Sequence, residues 1–155
     1  MADAQAILVK VTNAVAAELR SQTFTLNPTI RRRYVTNIVL KDLGTLYVDV
    51  QPGDVDTEAA DRERIKYTCR VDIAVRKRFD TVEEDDTTGE IETDEIDRLL
   101  LLMQEIHDYF VLRRLVAYDE AAWVDVEFRP VYSPDHLFEL RQFTGIVAVN
   151  FEVVK

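Results

Sequence analysis

Carboxylate pairs are the groups in this sequence best suited to chemistry, because two acids can divide the roles of general acid and general base. Glu83 to Asp86 form an acidic run, and Asp125 and Glu127 stand two residues apart. Such catalysis needs a pocket that moves the two pKa values apart, and adjacent carboxylates on an exposed loop lack one. We predict that the run is solvated. Catalysis by Asp125 and Glu127 would require His136 to join them in a pocket, which strand alternation permits for the two acids but does not require.

The sequence gives less support to a metal site or to a catalytic nucleophile than to acid–base catalysis. Asp54 and Asp56 are spaced like calcium ligands, but the surrounding acidic stretch lacks the central glycine and the two flanking helices of a calcium-binding hand, so a solvated loop is predicted. Cys69 lies in an apolar alternation and is predicted to pack as a small hydrophobe. His107 lies among apolar residues and is predicted to be structural. With no glycine-rich phosphate loop, no paired Cys or His spacing and no nucleophile motif, we predict no cofactor and no enzyme.

The acidic charge is concentrated in one segment. Asp80 to Asp97 contains ten acidic and no basic residues, which equals the net charge of −10 for the whole chain. The remainder is therefore neutral, and the acidic segment would repel the phosphates of DNA. Because Cys69 is the single cysteine, no disulfide can form within the chain, and a reducing compartment is expected. The sequence shows neither an export signal nor an apolar run long enough to span a membrane, so a soluble, unexported protein is expected.

The elements that must position these residues are organised around one long strand. From Arg64 to Phe79 apolar residues occupy alternate positions, which predicts an antiparallel strand far longer than the usual 5 to 6 residues. Its ends are expected to project beyond the domain and to invite partners. The first inference is a scaffold that assembles with copies of itself or with other chains.

The other elements follow from periodicity and from turn residues. We predict an amphipathic helix from Asp3, as N-cap, to about Arg20, and a second helix from about Thr93 to Arg113. Further strands are predicted at Thr29–Leu40, Leu46–Gln51, Trp123–Tyr132 and Phe143–Val154, with Pro52 and Gly53 ending the second of these and a short helical turn from Ser133 to Leu140. The fold class is therefore α+β. Residues 1–155 form one domain with a mainly antiparallel or mixed sheet of about four to six strands, two main helices and a long hairpin or loop extension, the acidic loop at about 80–94.

Three consecutive arginines, Arg31 to Arg33, fall on the first of these strands. Alternation puts Arg31 and Arg33 on one face and Arg32 on the other, so at least one is positioned to pair with an acidic neighbour in its own chain or in another copy. Solvated or intrachain charge, an interface role and contact with nucleic acid remain open at this point.

The element order and several phrases resemble the tail terminator and tail-completion proteins in the neck of long-tailed bacteriophages. These phrases are RRRYV, LKDLGTLYVDVQPGD, DEIDRLLLLMQEIHDYF and DHLFELRQFTGIVAVNFEVV, and the resemblance spans most of the chain. It implies a virion protein, assembled in the host cytoplasm, that forms a ring of about six subunits. Its implied partners are the tail tube protein, the proteins of the head connector and double-stranded DNA that passes through without specific binding.

Residue roles follow from this resemblance as hypotheses. The subunit contacts are assigned to Arg31, Arg32, Arg33, Arg70 and Arg76. The acidic lining or rim of the channel is assigned to Glu83, Glu84, Asp85, Asp86, Glu90 and Glu92. The alternative is a monomeric or dimeric acidic α+β module that binds a basic protein through its acidic loop.

Overall fold

A computed structural model describes residues 4–34, 40–41, 44–79 and 93–155. It has an α+β fold, as predicted, in which three helices accompany a five-stranded mixed sheet. In chain order the elements are α1 (Ile7–Ser21), β1 (Thr29–Arg32), β2 (Leu46–Ala59), β3 (Ile65–Arg78), α2 (Thr93–Phe110), β4 (Ala122–Phe128), α3 (Pro134–Leu140) and β5 (Gln142–Val154). The strand order is β1-β2-β3-β5-β4, with β1 parallel to β2 and every other pair antiparallel.

The long strand predicted from alternation is β3, at the centre of the sheet. It pairs with β2 on one side and with the whole length of β5 on the other, from Lys66 opposite Val154 to Arg78 opposite Gln142. Because side chains alternate along a strand, the odd-numbered residues of β3 share one face with the odd-numbered residues of β5. This face is apolar and forms the floor of the core.

Helices α1 and α2 cover that apolar face. Helix α1 packs on β1, β2 and β3, whereas α2 packs on β5 and β4. Buried residues recur every three or four positions along each helix and form one apolar stripe, as helical periodicity requires. The stripe of α1 includes Val11, Val15 and Leu19, and that of α2 comprises Leu99, Leu102, Met103, Ile106 and Phe110. The predicted cap Asp3 lies outside the described residues, and α1 begins after Ala6, which provides no side-chain cap.

The prediction that Pro52 and Gly53 end the second strand is wrong, because β2 continues to Ala59. A register shift between Pro52 and Val55 accommodates both residues. Strand β1 pairs only with Tyr47 to Val50, so the missing N–H of Pro52 falls where β2 has no outer strand partner within the described residues. A Cβ at Gly53 would lie 2.7 Å from Nε and 3.0 Å from the backbone oxygen of Arg70, so any larger residue here would force Arg70 to shift. Asp54 and Asp56 therefore lie on a strand and not in a loop.

The strand predicted at Trp123–Tyr132 is shorter than expected and contains a bulge. It ends at Phe128, and a register shift between Trp123 and Asp125 changes the alternation. Trp123 was predicted to share a side with Asp125, but the extra residue places it opposite Phe151 on the core face. The indole therefore packs against the core.

Two further predictions are corrected or lie outside the described residues. Strand β1 ends at Arg32 and not at Leu40, and residues 35–39 are not described. The acidic loop predicted at 80–94 overlaps α2, which begins at Thr93, and residues 80–92, which carry the assigned channel acids, are not described. The short helix predicted after Ser133 is confirmed as α3, with the Ser133 hydroxyl accepting from the His136 N–H.

Candidate functional site

The face of the sheet opposite α1 and α2 is lined by polar and charged side chains; we call it the polar face. It is formed by the even-numbered residues of β3 and by the residues paired with them. Its main members are Arg31, Tyr47, Asp49, Gln51, Arg70, Asp72, Arg76, Asp125, Glu127, Thr144 and Asn150. The predicted interface arginines Arg31, Arg70 and Arg76 therefore all lie on this face.

Arg31 and Arg76 are held within the chain by one carboxylate, Asp49. Nε and Nη2 of Arg31 lie 2.6 and 2.8 Å from the two carboxylate oxygens, and Nη1 of Arg76 lies 3.6 Å from Oδ2. The Asp49 side chain is 0% exposed and that of Arg76 4%. Burial lowers the pKa of Arg76, and the Asp49 charge opposes this shift. The structure therefore places the Arg76 side chain inside the fold, where it presents almost no surface to solvent.

Arg70 also has acidic partners in its own chain. Its Nη1 lies 3.3 Å from Oδ2 of Asp54, and its Nε lies 3.2 Å from Oδ1 of Asp72. This ion-paired side chain lies beside the bulge of β2, where it approaches Gly53. The role predicted for Arg70 in subunit contacts stays a prediction.

Arg32 and Arg33 lie at the outer edge of the sheet, on β1 and directly after it. Nε of Arg32 donates to Oδ1 of Asn13 on α1 at 3.1 Å, and its guanidinium lies 4.5 Å above the ring of Tyr34. Tyr34 is 67% exposed, and Arg33 is exposed. We call Arg32, Arg33 and Tyr34 the β1 edge. It combines cationic and aromatic side chains, which are common at protein interfaces.

The opposite edge of the sheet is β4, and it carries exposed acids. Asp125 accepts a hydrogen bond from Nδ2 of Asn150 at 2.6 Å. Glu127 lies 2.5 Å from Nε of Arg129, and its side chain is 50% exposed. Both carboxylates lie on the polar face.

A groove of about 430 Å³ lies between α2 and β4 on the helix side of this edge. Its lining is mainly apolar and consists of Leu100, Gln104, His107, Asp108, Phe128, Val131 and Tyr132. The His107 ring stacks on Phe128 with centroids 5.0 Å apart, and its Nδ1 lies 2.9 Å from Oδ1 of Asp108. We call this groove with Glu127 the β4 edge. Sequence reasoning missed the groove because its residues come from two separate stretches of the sequence, 100–108 and 128–132.

The three residues considered for catalysis have separate partners. Asp125 bonds to Asn150, Glu127 pairs with Arg129, and Nδ1 of His136 lies 2.8 Å from the Thr144 hydroxyl. Within the described ranges, no three His, Cys, Asp or Glu side chains are grouped closely enough to hold a metal ion.

Cys69 packs in the core, as predicted, opposite Phe151 of β5. The thiol is buried, and this burial raises its pKa to about 11. A thiolate, the reactive form of cysteine, is therefore strongly disfavoured at this position.

Glu18 is a buried acid that sequence reasoning did not single out. It lies on the core side of α1, where Oε1 accepts a hydrogen bond from the Tyr109 hydroxyl at 3.0 Å. Burial raises the pKa of Glu18, while Tyr109, the Val116 amide and the Arg113 charge oppose the shift. Its position three residues after Val15, on the apolar stripe of α1, was the available signal.

Replacing Glu18 with glutamine is expected to stabilise the protein more at pH 8 than at pH 5. A raised pKa in the folded state means that wild type loses stability as pH rises from the unfolded pKa through the folded one, and glutamine has no charge to bury. Urea denaturation of both proteins at both pH values measures the difference. The same exchange at Glu139, which is exposed on α3, should show no such dependence on pH. An equal effect of E18Q at both pH values would contradict the argument.

No family model matches the chain, and no curated protein matches it. Across the described parts of the chain, none of the helices has the length and apolar character needed to cross a membrane.

Proposed function

We propose that this chain is a structural subunit that assembles with copies of itself into a ring. The ring is the tail terminator or tail-completion ring in the neck of a long-tailed bacteriophage, where it caps the tail tube, joins it to the head connector and leaves a channel for DNA. The sequence resemblance supports the phage neck, and the arrangement of the sheet supports self-assembly.

The observation that carries the proposal is the one-sided covering of the sheet. Both main helices pack on the same face, and the polar face carries ordered charged side chains. The outer side of β1 has no strand partner within the described residues, and neither does that of β4 beyond the short bridge between Arg114 and Ala122. Open strand edges favour pairing with another chain. Contacts between different surfaces of identical subunits close into a ring when the rotation between them allows it.

The charge distribution supports a channel that DNA passes without being retained. Asp80 to Asp97 carries the entire net charge of −10, and Asp94 at the start of α2 is exposed. Binding to DNA depends on cations that displace the counterions of its phosphates. Arg31, Arg70 and Arg76 instead face carboxylates of their own chain.

The side chains considered for chemistry support a structural role in the same way. His136 lies against Thr144, Glu127 pairs with Arg129, and the Cys69 thiol is buried with a raised pKa. In each case the reactive group has a contact within its own chain.

Electron microscopy of the purified protein tests the proposal. Negative-stain images at high concentration are expected to show rings of about six subunits with an open centre. Mass photometry of the same sample should give a mass that is the corresponding multiple of 17.9 kDa. Particles of monomer mass at every concentration, with or without chemical crosslinking, would overturn self-assembly.

The same preparation separates the alternative function. The rings are expected not to retard a double-stranded DNA fragment on a native gel at low salt, because the net charge of −10 opposes binding. Single particles that bind a basic protein, and release it as salt screens the charges, would support the acidic binding module instead.

A further inference from the structure

The pairing registers connect the two edges of the sheet row by row. Arg32 of β1 lies opposite Val50, which lies opposite Ile73 of β3. Ile73 lies opposite Val147 of β5, and Val147 lies opposite Phe128 of β4. One row therefore runs from an arginine at one edge to an aromatic residue of the groove at the other.

The adjacent row ends in opposite charges. It runs from Gln51 through Asp72 and Ala148 to Glu127. Arg33 directly follows β1, its N–H donates to the Val50 carbonyl at 2.9 Å, and it lies at the level of this row. A cation at one edge and an acid at the other edge therefore lie at the same height along the strands.

The two edges are complementary on each side of the sheet. At the β1 edge, Tyr34 lies beside Arg32 on the side of α1, and at the β4 edge the apolar groove lies on the side of α2. Asp108 at the rim of the groove adds a second exposed carboxylate opposite the arginines. An aromatic cationic surface and an apolar acidic surface thus lie at opposite ends of one sheet.

We propose that the β1 edge of one copy docks against the β4 edge of the next, with Arg33 facing Glu127 and Tyr34 lying against the groove. This inference rests on the proposed ring and identifies its contact surfaces. Rotation about an axis parallel to the strands keeps the paired rows at one level. It also preserves strand direction, so β1 of one copy lies antiparallel to β4 of the next. Antiparallel pairs are the more common kind in sheets.

A second copy fits these surfaces because the contact joins two different patches of the same chain. Such a head-to-tail contact leaves one free β1 edge and one free β4 edge after every addition, until a ring closes. Complementary charges also suppress wrong pairings, since the arginines of two β1 edges would repel one another.

Charge reversal at either edge tests the contact. R33E and E127R each place like charges opposite one another and are expected to reduce the fraction of protein in rings about tenfold or more. Mixing the two variants in equal amounts is expected to restore rings, because every contact in an alternating ring again joins opposite charges. The restored rings should contain an even number of subunits and both variants equally, which native mass spectrometry measures.

Matched control variants separate this effect from misfolding and from the change in net charge. R62E makes the same charge change at an exposed position in the β2–β3 turn, and E139R does so on α3. Both controls are expected to form rings, and all four variants should keep the circular dichroism spectrum of wild type, since Arg33 and Glu127 are exposed.

The outcomes distinguish this inference from the proposed function. Wild-type rings together with normal rings of R33E or E127R would overturn the edge contact and leave the ring in place. Loss of rings in both variants without recovery on mixing would also overturn it. Wild-type protein that stays monomeric would overturn the ring itself.

Discussion

Replacing Asp49 with alanine is expected to lower the free energy of unfolding by about 3–5 kcal/mol, because it leaves two guanidinium groups without their shared counter-charge. Asp49 is 0% exposed and faces Arg31 at 2.6 Å and Arg76 at 3.6 Å. Removing the carboxylate keeps the desolvation cost of Arg76 and removes the attraction that offsets it. Urea denaturation followed by circular dichroism measures the loss.

Asp54 provides the matched control for Asp49. Its side chain lies 3.3 Å from Arg70 but is 82% exposed, so alanine at this position should change stability by at most about 0.5 kcal/mol. If D49A cost no more than D54A, the polar face would not depend on this buried cluster.

Replacing Phe151 with alanine is expected to cost about 3–5 kcal/mol, the usual range for a buried phenylalanine. Phe151 is fully buried on β5, between Cys69 of β3 and Trp123 of β4 in the pairing register. Its ring meets that of Phe110 on α2 edge-on, with centroids 6.1 Å apart. The truncation leaves a cavity where α2 meets the sheet, and thermal and urea unfolding measure its cost.

Phe138 allows the same atoms to be removed at the surface. It lies on α3 and is 88% exposed, so alanine there is expected to stay within about 0.5 kcal/mol of wild type. Equal losses for F151A and F138A would show that the phenylalanine of β5 does not support the core as described.

Alternation predicted the centre of the fold because every second residue of β3 and β5 meets the same environment. Strand β3 pairs with β2 along one edge and with β5 along the other, so its pattern is uninterrupted from Tyr67 to Val75. Helical periodicity worked for the same reason on α1 and α2, each of which buries one stripe. The pattern of apolar residues predicts an element well when the element buries a single face against the core.

The two bulges and the extent of strand pairing could not be predicted from the pattern of apolar residues. Proline and glycine usually end a strand. Strand β2 continues through Pro52 and Gly53 because Pro52 lies beyond the last residue that pairs with β1. The bulge after Trp123 inverts the side that alternation assigns to that residue. Both features depend on what lies beside the strand in space.

The candidate site was predicted in part. Sequence reasoning selected Arg31 to Arg33 and foresaw that at least one pairs with an acid, and Arg31 does so with Asp49. It did not separate Arg76, which is buried, from Arg33, which is exposed, because alternation gives the face of a residue and not its depth. Placing the β1 edge level with the β4 edge required the register of four strand pairs.

The outer side of β2 beyond β1 carries three features that oppose pairing with another strand. From Pro52 to Ala59 this side has no strand partner within the described residues, and an unpaired strand edge is a template for pairing with another chain. Here Pro52 removes a donor, the bulge disturbs the ladder, and Asp54, Asp56 and Glu58 bring like charges together whenever two copies align. This border of the sheet is therefore poorly suited to pairing with a strand of another chain.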